Sequence, residues 1–312
     1  MAYRSVRMRR LAVPGAHLTV MDTGGDGTAL VMLHTFPTDW REWRLVVNAL
    51  PSGTRVVAID WRGSGQSACP RSGYSTRQRV EDLIAVLDAL DLARVDLVSH
   101  GWGSWAGFFA TVRYPERFRR HIAMSMAHPW VSRATALSQG WRYWHTALWE
   151  YPLVGRFVLR RCRWFTRWTL RRWARTAVPD GGALVADYAE AMGAPGVARA
   201  GEKLHSSFVL RDIPLLASGR LRRLALEVPT LVLVGEKDPV VPPRLVASGA
   251  RPERMVVEVV ASAGHLLPEE VPGLVAARCQ EWLAAERPVE PAVEAWRPPC
   301  RRLGGQRIAE RP

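Results

Sequence analysis

The segment Val95-Asp-Leu-Val-Ser-His-Gly-Trp-Gly-Ser-Trp105 limits the fold more than any other stretch of this chain. Val95 to Ser99 is a short apolar run of the kind that forms a buried strand, and a helical stretch follows it with no linker between. For a strand to pass into a helix through so sharp a turn, the strand end and the first helical turn must nearly touch. Ser99 and Gly103 supply the small residues this approach needs, and Gly101 stands at the tip of the turn between them. Strands alternating with helices belong to parallel sheets with crossover connections, so an α/β architecture is expected.

The flanking sequence agrees. His17 to Thr23 alternates as a strand and ends at the turn signal Gly24-Gly25, while Ala29–Leu33, Arg55–Asp60 and His121–Met126 read as further strands. Val80, Leu83, Ile84 and Leu87 recur at helical spacing and predict an amphipathic helix from about Thr76 to Leu92. From about Arg133 to Ala225 the pattern is helical, with half of the fourteen tryptophans between Trp130 and Trp173. Strand patterns resume at Thr230–Val234 and Met255–Val260, and a last helix is expected over Pro268–Glu286. The sequence thus predicts a mainly parallel sheet flanked by helices. Its core would span residues 1–132 and 226–286, with a helical cap at 133–225 inserted as a lid over the carboxyl edge. The Pro- and Arg-rich residues 287–312 are expected to form a disordered tail.

Composition narrows the function classes. The formal net charge is +14, nearly all of it arginine, because Lys203 and Lys237 are the only lysines. Such a surface attracts anions, yet a codon bias toward Arg, Ala, Gly and Pro explains it as well. No nucleic-acid motif accompanies the charge, so a nucleic-acid partner is not expected. No run of eighteen apolar residues exists, and no transmembrane segment is expected. Arg4, Arg7, Arg9 and Arg10 precede no apolar stretch that would make a secretory signal. Cys69, Cys162, Cys279 and Cys300 show no metal-ligand spacing and are expected as reduced thiols in a cytoplasm. No cofactor is expected, and the oligomeric state is left open.

Five stretches carry the chemistry: His34-Thr-Phe-Pro-Thr-Asp-Trp40, Asp60-Trp-Arg-Gly-Ser-Gly-Gln-Ser67, the Ser99–Gly103 turn, Gly235-Glu-Lys-Asp238-Pro239 and Gly264-His265-Leu-Leu-Pro-Glu269. On these, in this order and with the helical block in the right interval, the chain resembles the epoxide hydrolase and haloalkane dehalogenase branch of the α/β-hydrolases from about Thr28 to Ala285. The resemblance implies a catalytic order of nucleophile, acid and histidine, at Gly101, Asp238 and His265. The imidazole would activate water while the carboxylate fixes its tautomer. The backbone N–H groups of Phe36 and Trp102 would form the oxyanion hole, and His34 and Trp40 would border the substrate. Related epoxide hydrolases use two cap tyrosines as donors. Matching Arg142-Tyr-Trp-His-Thr146 and Leu204-His-Ser-Ser-Phe208 to that pattern places His145 and His205 there, with Tyr143 as an alternative first donor. A metal site built on these histidines lacks any supporting spacing, so none is expected.

The departure from the branch is at the nucleophile. Its members normally carry Asp there and form an ester, which glycine cannot do. Ser99, in a packed position, and Ser104, inside the helix, are not expected to substitute. The usual His-Gly before Phe-Pro is His34-Thr35 here, which affects the oxyanion loop. Glycine at a strained turn relieves about 1–3 kcal/mol, which suits a catalytically silent homologue that binds a ligand or partner. The vacated space equally suits water or substrate beside His265. The leading expectation is therefore general-base catalysis by His265 and Asp238 on a hydrophobic small molecule, aromatic or anionic, without a covalent ester. Direct hydration, elimination and cyclisation all fit.

One further pattern stands out. Arg160, Arg163, Arg167 and Arg171 recur at three- and four-residue steps with Trp164 and Trp168 on a neighbouring stripe. The expected arrangement is a helix whose Trp face packs on the core while its Arg face meets solvent. An anionic membrane surface and an acidic or aromatic ligand are the alternatives.

Overall fold

The computed structural model describes residues 4–143, 146, 148–149, 151–176, 182–249 and 252–284. The tail expected at 287–312, Cys300 and His145 lie outside the described residues. Eight strands form one sheet: β1 (Arg7–Val13), β2 (Ala16–Asp22), β3 (Leu30–Leu33), β4 (Val56–Ile59), β5 (Val95–His100), β6 (Phe118–Met124), β7 (Thr230–Gly235) and β8 (Met255–Val260). Their order is β1-β2-β4-β3-β5-β6-β7-β8. Strands β3 to β8 are parallel, and β1 and β2 join antiparallel at one edge.

The period of two along each strand sorts its residues to opposite faces. Val31 and Leu33 of β3 pack beneath the helices α2 (Thr76–Ala89) and α3 (Trp102–Arg113). Leu30 and Met32 face the other way, against α1 (Arg44–Ala49) and the C-terminal helix Pro272–Ala284. Burying both faces of a strand removes several large apolar side chains from water, each worth about 1.5–3 kcal/mol. Helix α2 starts where Ser75 accepts a capping hydrogen bond from the Gln78 N–H at 3.3 Å.

The order around β3 places the functional site. From β3 the chain crosses to β4 on one side, and from β5 it crosses to β6 on the other. The loops leaving the carboxyl ends of β3 and β5 therefore diverge, and a crevice opens between them. Over this edge lie the helices that connect β6 to β7: α4 (Arg133–Gln139), α5 (Val154–Arg161), α6 (Arg163–Trp173), α7 (Ala183–Ala191), α8 (Pro195–Ser207) and α9 (Ile213–Ser218). No strand occurs among the described residues of this stretch. Their apolar cluster joins Phe36 from the β3 loop to Trp149, Leu159, Trp173 and Tyr188.

Four differences from the sequence reading have physical causes. Strand β1 was not expected: its first four residues are exposed, so its pattern carries no buried face, yet it pairs with β2 along its whole length. Strand β6 begins at Phe118, three residues before the expected His121. The last helix divides at Val271, with Leu267–Glu270 before it and the helix that opens on Pro272 after it, because proline disfavours a helical residue ahead of it. The arginine stripe does not lie on one helix. Cys162 separates α5 from α6, and Trp164 and Trp168 are 68% and 40% exposed while Phe165, Leu170 and Trp173 are buried.

Candidate active site

The turn after β5 has the close approach the sequence demands. Gly101 has φ 49° and ψ −118°, a region that side-chain-bearing L-residues rarely adopt. It is held by its N–H donating to the Met124 carbonyl at 2.9 Å, and α3 begins at the next residue. A Cβ on Gly103 would lie 2.8 Å from the His34 carbonyl oxygen and closer still to that of Leu33, so only glycine fits there. Ser99 and Ser104 are both fully buried beneath the turn. Ser99 Oγ pairs with His121 Nε2 at 2.7 Å, and Ser104 Oγ donates to the Met124 carbonyl at 3.1 Å. Both hydroxyls are committed to holding β5, α3 and β6 together.

The loops after β7 and β8 bring Asp238 and His265 to the same sheet edge. Asp238 Oδ2 accepts a hydrogen bond from His265 Nδ1 at 2.8 Å, and both residues are 4% exposed. The other carboxylate oxygen, Oδ1, accepts from the N–H groups of Val240 and Val241 at 2.7 and 2.9 Å. With Nδ1 donating to Asp238, the lone pair of His265 lies on Nε2, which makes no hydrogen bond among the described residues. The histidine loop is anchored by Glu270, whose carboxylate accepts from the N–H groups of Gly264 and Leu266 at 3.0 and 2.9 Å. The same carboxylate accepts from the Arg175 N–H at 2.8 Å, which ties the end of α6 to this loop. His265 N–H itself donates to the Trp173 carbonyl at 3.0 Å.

A second buried pair supports the histidine from below. His100, at the end of β5, donates from Nε2 to the His265 carbonyl at 2.8 Å, with Nδ1 3.4 Å from the Glu42 carboxylate. Burial disfavours the His100 cation, but the Glu42 charge and hydrogen bond outweigh it and hold its pKa above the ordinary histidine value. Sequence reasoning missed both residues. Only the adjacency of His100 to Gly101 hinted at them.

The elbow itself is occupied. A Cβ on Gly101 would fall onto the Thr35 hydroxyl and lie 2.7 Å from Thr35 Cβ. The Thr35 side chain thus takes the space where a side chain from the turn would begin. Its Oγ1 accepts a hydrogen bond from the Trp102 N–H at 3.2 Å. Of the two N–H groups anticipated for an oxyanion hole, the one on Trp102 therefore already has an acceptor. Thr35 Oγ1 makes no hydrogen bond to His265 among the described residues.

The other residues singled out from the sequence fall in three places. Phe36 and His205 meet above the elbow with ring centroids 4.8 Å apart; His205 lies 5.1 Å from Trp102 and 5.6 Å from Trp149, and donates from Nδ1 to the Gly201 carbonyl at 2.8 Å. Tyr143 is half-buried; burial, with the Asp238 charge adding to it, pushes its phenol pKa up, so it stays protonated. His34 is wholly interior: Nδ1 pairs with the Thr35 carbonyl and Nε2 accepts from the Trp61 N–H at 3.1 Å. Together with Thr35 and Phe36 it borders a void of about 20 Å³, room for about one water. Trp40 lies on the other face of the sheet, against the cluster under α1. Two tryptophans the sequence did not single out complete the wall: Trp173 is 5.0 Å from His265 and 6.0 Å from Trp149 by ring centroids. Among the described residues no three His, Cys, Asp or Glu side chains converge as metal ligands, and no helix is long and apolar enough to cross a membrane.

A strand–turn–helix elbow at a topological switch point, faced by an Asp–His pair from the ends of β7 and β8, is the arrangement found on the α/β-hydrolase fold. Residues 28–272 match the family model described as alpha/beta hydrolase fold, and the chain belongs to that family. It is similar to an epoxide hydrolase of Caballeronia sordidicola, 36% identical over 126 residues that make up 39% of this chain and 37% of the relative. The aligned stretch is thus well under half of that relative's length. The solved structure of Cfl2 from Burkholderia cenocepacia superposes with a TM-score of 0.76 at 27% identity, over 89% of this chain and 95% of that one. The epoxide hydrolase CorEH superposes with a TM-score of 0.74 at 22% identity, over 91% of this chain and 100% of that one, a likeness of fold.

Proposed function

We propose that this chain is an epoxide-hydrolase-like enzyme that acts on a hydrophobic small molecule without forming an ester at residue 101. The observation that carries the reading is the buried Asp238–His265 hydrogen bond of 2.8 Å, with the second carboxylate oxygen fixed by two backbone N–H groups. An incidental loop histidine would not need so complete a support. Asp238 holds the proton on Nδ1, so Nε2 presents its lone pair. It takes a proton from a water molecule as that water's oxygen attacks an electrophilic carbon, and Asp238 stabilises the imidazolium that results. The oxygen leaving that carbon gains a proton from a neutral donor, and Tyr143 is held in its neutral form beside Asp238. The Phe36 N–H is the remaining backbone donor on the oxyanion side. Elimination and cyclisation would use the same base on a substrate C–H or O–H.

A single-turnover reaction on an aryl epoxide in ¹⁸O-labelled water tests this. Direct hydration puts label into the diol formed in the first turnover, whereas an ester route delivers an unlabelled oxygen from the protein. His265→Ala should lower turnover by about 10²–10⁴-fold.

One observation favours a second reading, a silent homologue that only binds. The Thr35 side chain fills the elbow and accepts from the Trp102 N–H. On that reading, wild type and His265→Ala bind ligand alike and neither converts it.

A further inference from the structure

A cavity of about 340 Å³ opens between α6 and the loop after β7. It is lined by buried Trp173, by Pro239 and Pro242, and by the exposed rings of Trp141 and Trp168. The charge around it is uneven: Arg142, Arg172, Arg175 and Lys237 line it against Glu236 and Asp238. The two carboxylates are already engaged. Asp238 is bound to His265, and Glu236 accepts from the Ser262 N–H at 2.9 Å. Arg142 is likewise turned to protein, donating to Gln139 and to the Pro239 carbonyl at 2.9 and 3.2 Å. Arg172, Arg175 and Lys237 remain exposed at the rim.

Two of the tryptophans stand under guanidinium groups. Arg172 lies 5.7 Å from the Trp168 ring centroid and Arg142 lies 5.1 Å from that of Trp141. Trp141 is 66% exposed and Trp168 is 40% exposed. Leaving two large rings in water costs burial that a core position would supply. Arranged around a concave, cation-rimmed space, they form walls for a flat apolar body. The volume is at the small end of ligand sites, which run from about 300 to 1,000 Å³.

We propose that this cavity binds a planar aromatic carboxylate. The rings of the ligand lie between Trp168 and Trp141 over Pro239, and the carboxylate points outward to Arg172, Arg175 and Lys237. The orientation follows from burial and charge: Asp238 is buried and its carboxylate disfavours an anion beside it, while Arg172, Arg175 and Lys237 are exposed. The inference concerns occupancy and does not rest on the catalytic reading, since His265 does not line the cavity.

The probe is 2-naphthoate, with 2-naphthalenemethanol as its neutral counterpart, titrated into the full-length protein and followed by tryptophan fluorescence and calorimetry. The expected result is saturable one-to-one binding of the acid, at least about tenfold tighter than the alcohol. The double substitution Arg172→Gln/Lys237→Gln should weaken the acid by about 3–10-fold, the range for partly exposed charges, and leave the alcohol unchanged. Arg160→Gln, on α5 away from the cavity, should change neither. His265→Ala should bind the acid as wild type does, so loss of turnover in that variant and loss of binding are separate outcomes. Equal affinity for acid and alcohol overturns the proposal. So does a weakening by Arg160→Gln as large as that of the double variant, which would mean diffuse attraction to a cationic surface.

Discussion

The two halves of the candidate site are built differently. On one side, the loops after β7 and β8 hold Asp238 and His265 in a hydrogen-bonded pair, braced by Val240, Val241 and Glu270. On the other side, the elbow retains its backbone turn and its small neighbours, but Gly101 offers no side chain and Thr35 fills the space. The difference teaches that the elbow is defined by two residues together and not by Gly101 alone. Gly101 and Thr35, on separate loops, are complementary in shape: one has no side chain and the other fills the space beside it. A turn that only needed relief from strain would have required glycine alone.

The largest expected effect tests the intact side. Asp238→Asn keeps the size of the side chain but favours the wrong imidazole tautomer, and turnover should fall by about 10³-fold or more. Steady-state kinetics on an aryl epoxide measures it, and a fall of less than tenfold would make the pair structural. Next comes the altered side. Gly101→Asp places a side chain on the Thr35 hydroxyl at a positive φ, and should destabilise the fold by about 2–5 kcal/mol, from overpacking and backbone strain together. Adding Thr35→Gly should restore at least ~1 kcal/mol of that, within the range of coupling for residues in contact. Urea denaturation of the four proteins in the cycle gives the coupling energy, and mass spectrometry of the double variant with an aryl epoxide looks for an alkyl ester. Additive effects would mean the two positions are independent.

Much of this was legible in the sequence, for reasons that also explain what was not. The elbow, Asp238 and His265 each sit in a short stretch whose small or turn-forming neighbours are themselves diagnostic, so position along the chain sufficed. The contact between Thr35 and Gly101 joins two strand ends 66 positions apart (101 − 35) that are brought together only because β3 and β5 are neighbours. Each residue looked like a separate departure. The support of His265 by His100 and Glu42 was hidden for the same reason. In the helical stretch, the tryptophan spacing suggested a packed face. Cys162 breaks the helix, however, and turns Trp164 and Trp168 outward while Phe165 and Trp173 go in. β1 escaped notice because an exposed edge strand needs no alternation to pair.

Acidity should separate the two sides with opposite signs. His121, under the elbow, is pushed down to about 3 by burial. The unfolded chain binds a proton near pH 6.5 that the folded form refuses, so His121 removes stability as pH falls below that value. His100, beside Glu42, is held above its ordinary value, chiefly against the cost of burial, by the Glu42 charge. Its contribution is complete below about pH 6.5 and is lost as pH rises through its folded pKa. Chemical denaturation at pH 5, 7 and 8 should therefore show His121→Gln flattening the acid limb, by at most about 2 kcal/mol at pH 5. His100→Gln should flatten the alkaline limb instead. The same limb altered by both variants would break the contrast.

The smallest effect is the most discriminating. Thr35→Val keeps the branched shape that fills the elbow and removes only the hydroxyl. The Trp102 N–H then loses its acceptor, which should lower stability by about 1–2 kcal/mol. Its consequence for turnover separates two chemistries. If His265 drives direct hydration, the Thr35 hydroxyl is a spectator that occupies an oxyanion donor, and its removal leaves kcat unchanged or raises it as the N–H is freed. If the Thr35 hydroxyl instead attacks the substrate carbon, the product is an ether that water does not cleave, so the wild type stops at an adduct on Thr35 seen by mass spectrometry, and Thr35→Val abolishes that adduct. Valine cannot mask that outcome by refilling the chemistry, since it has the volume of threonine and none of its reactivity.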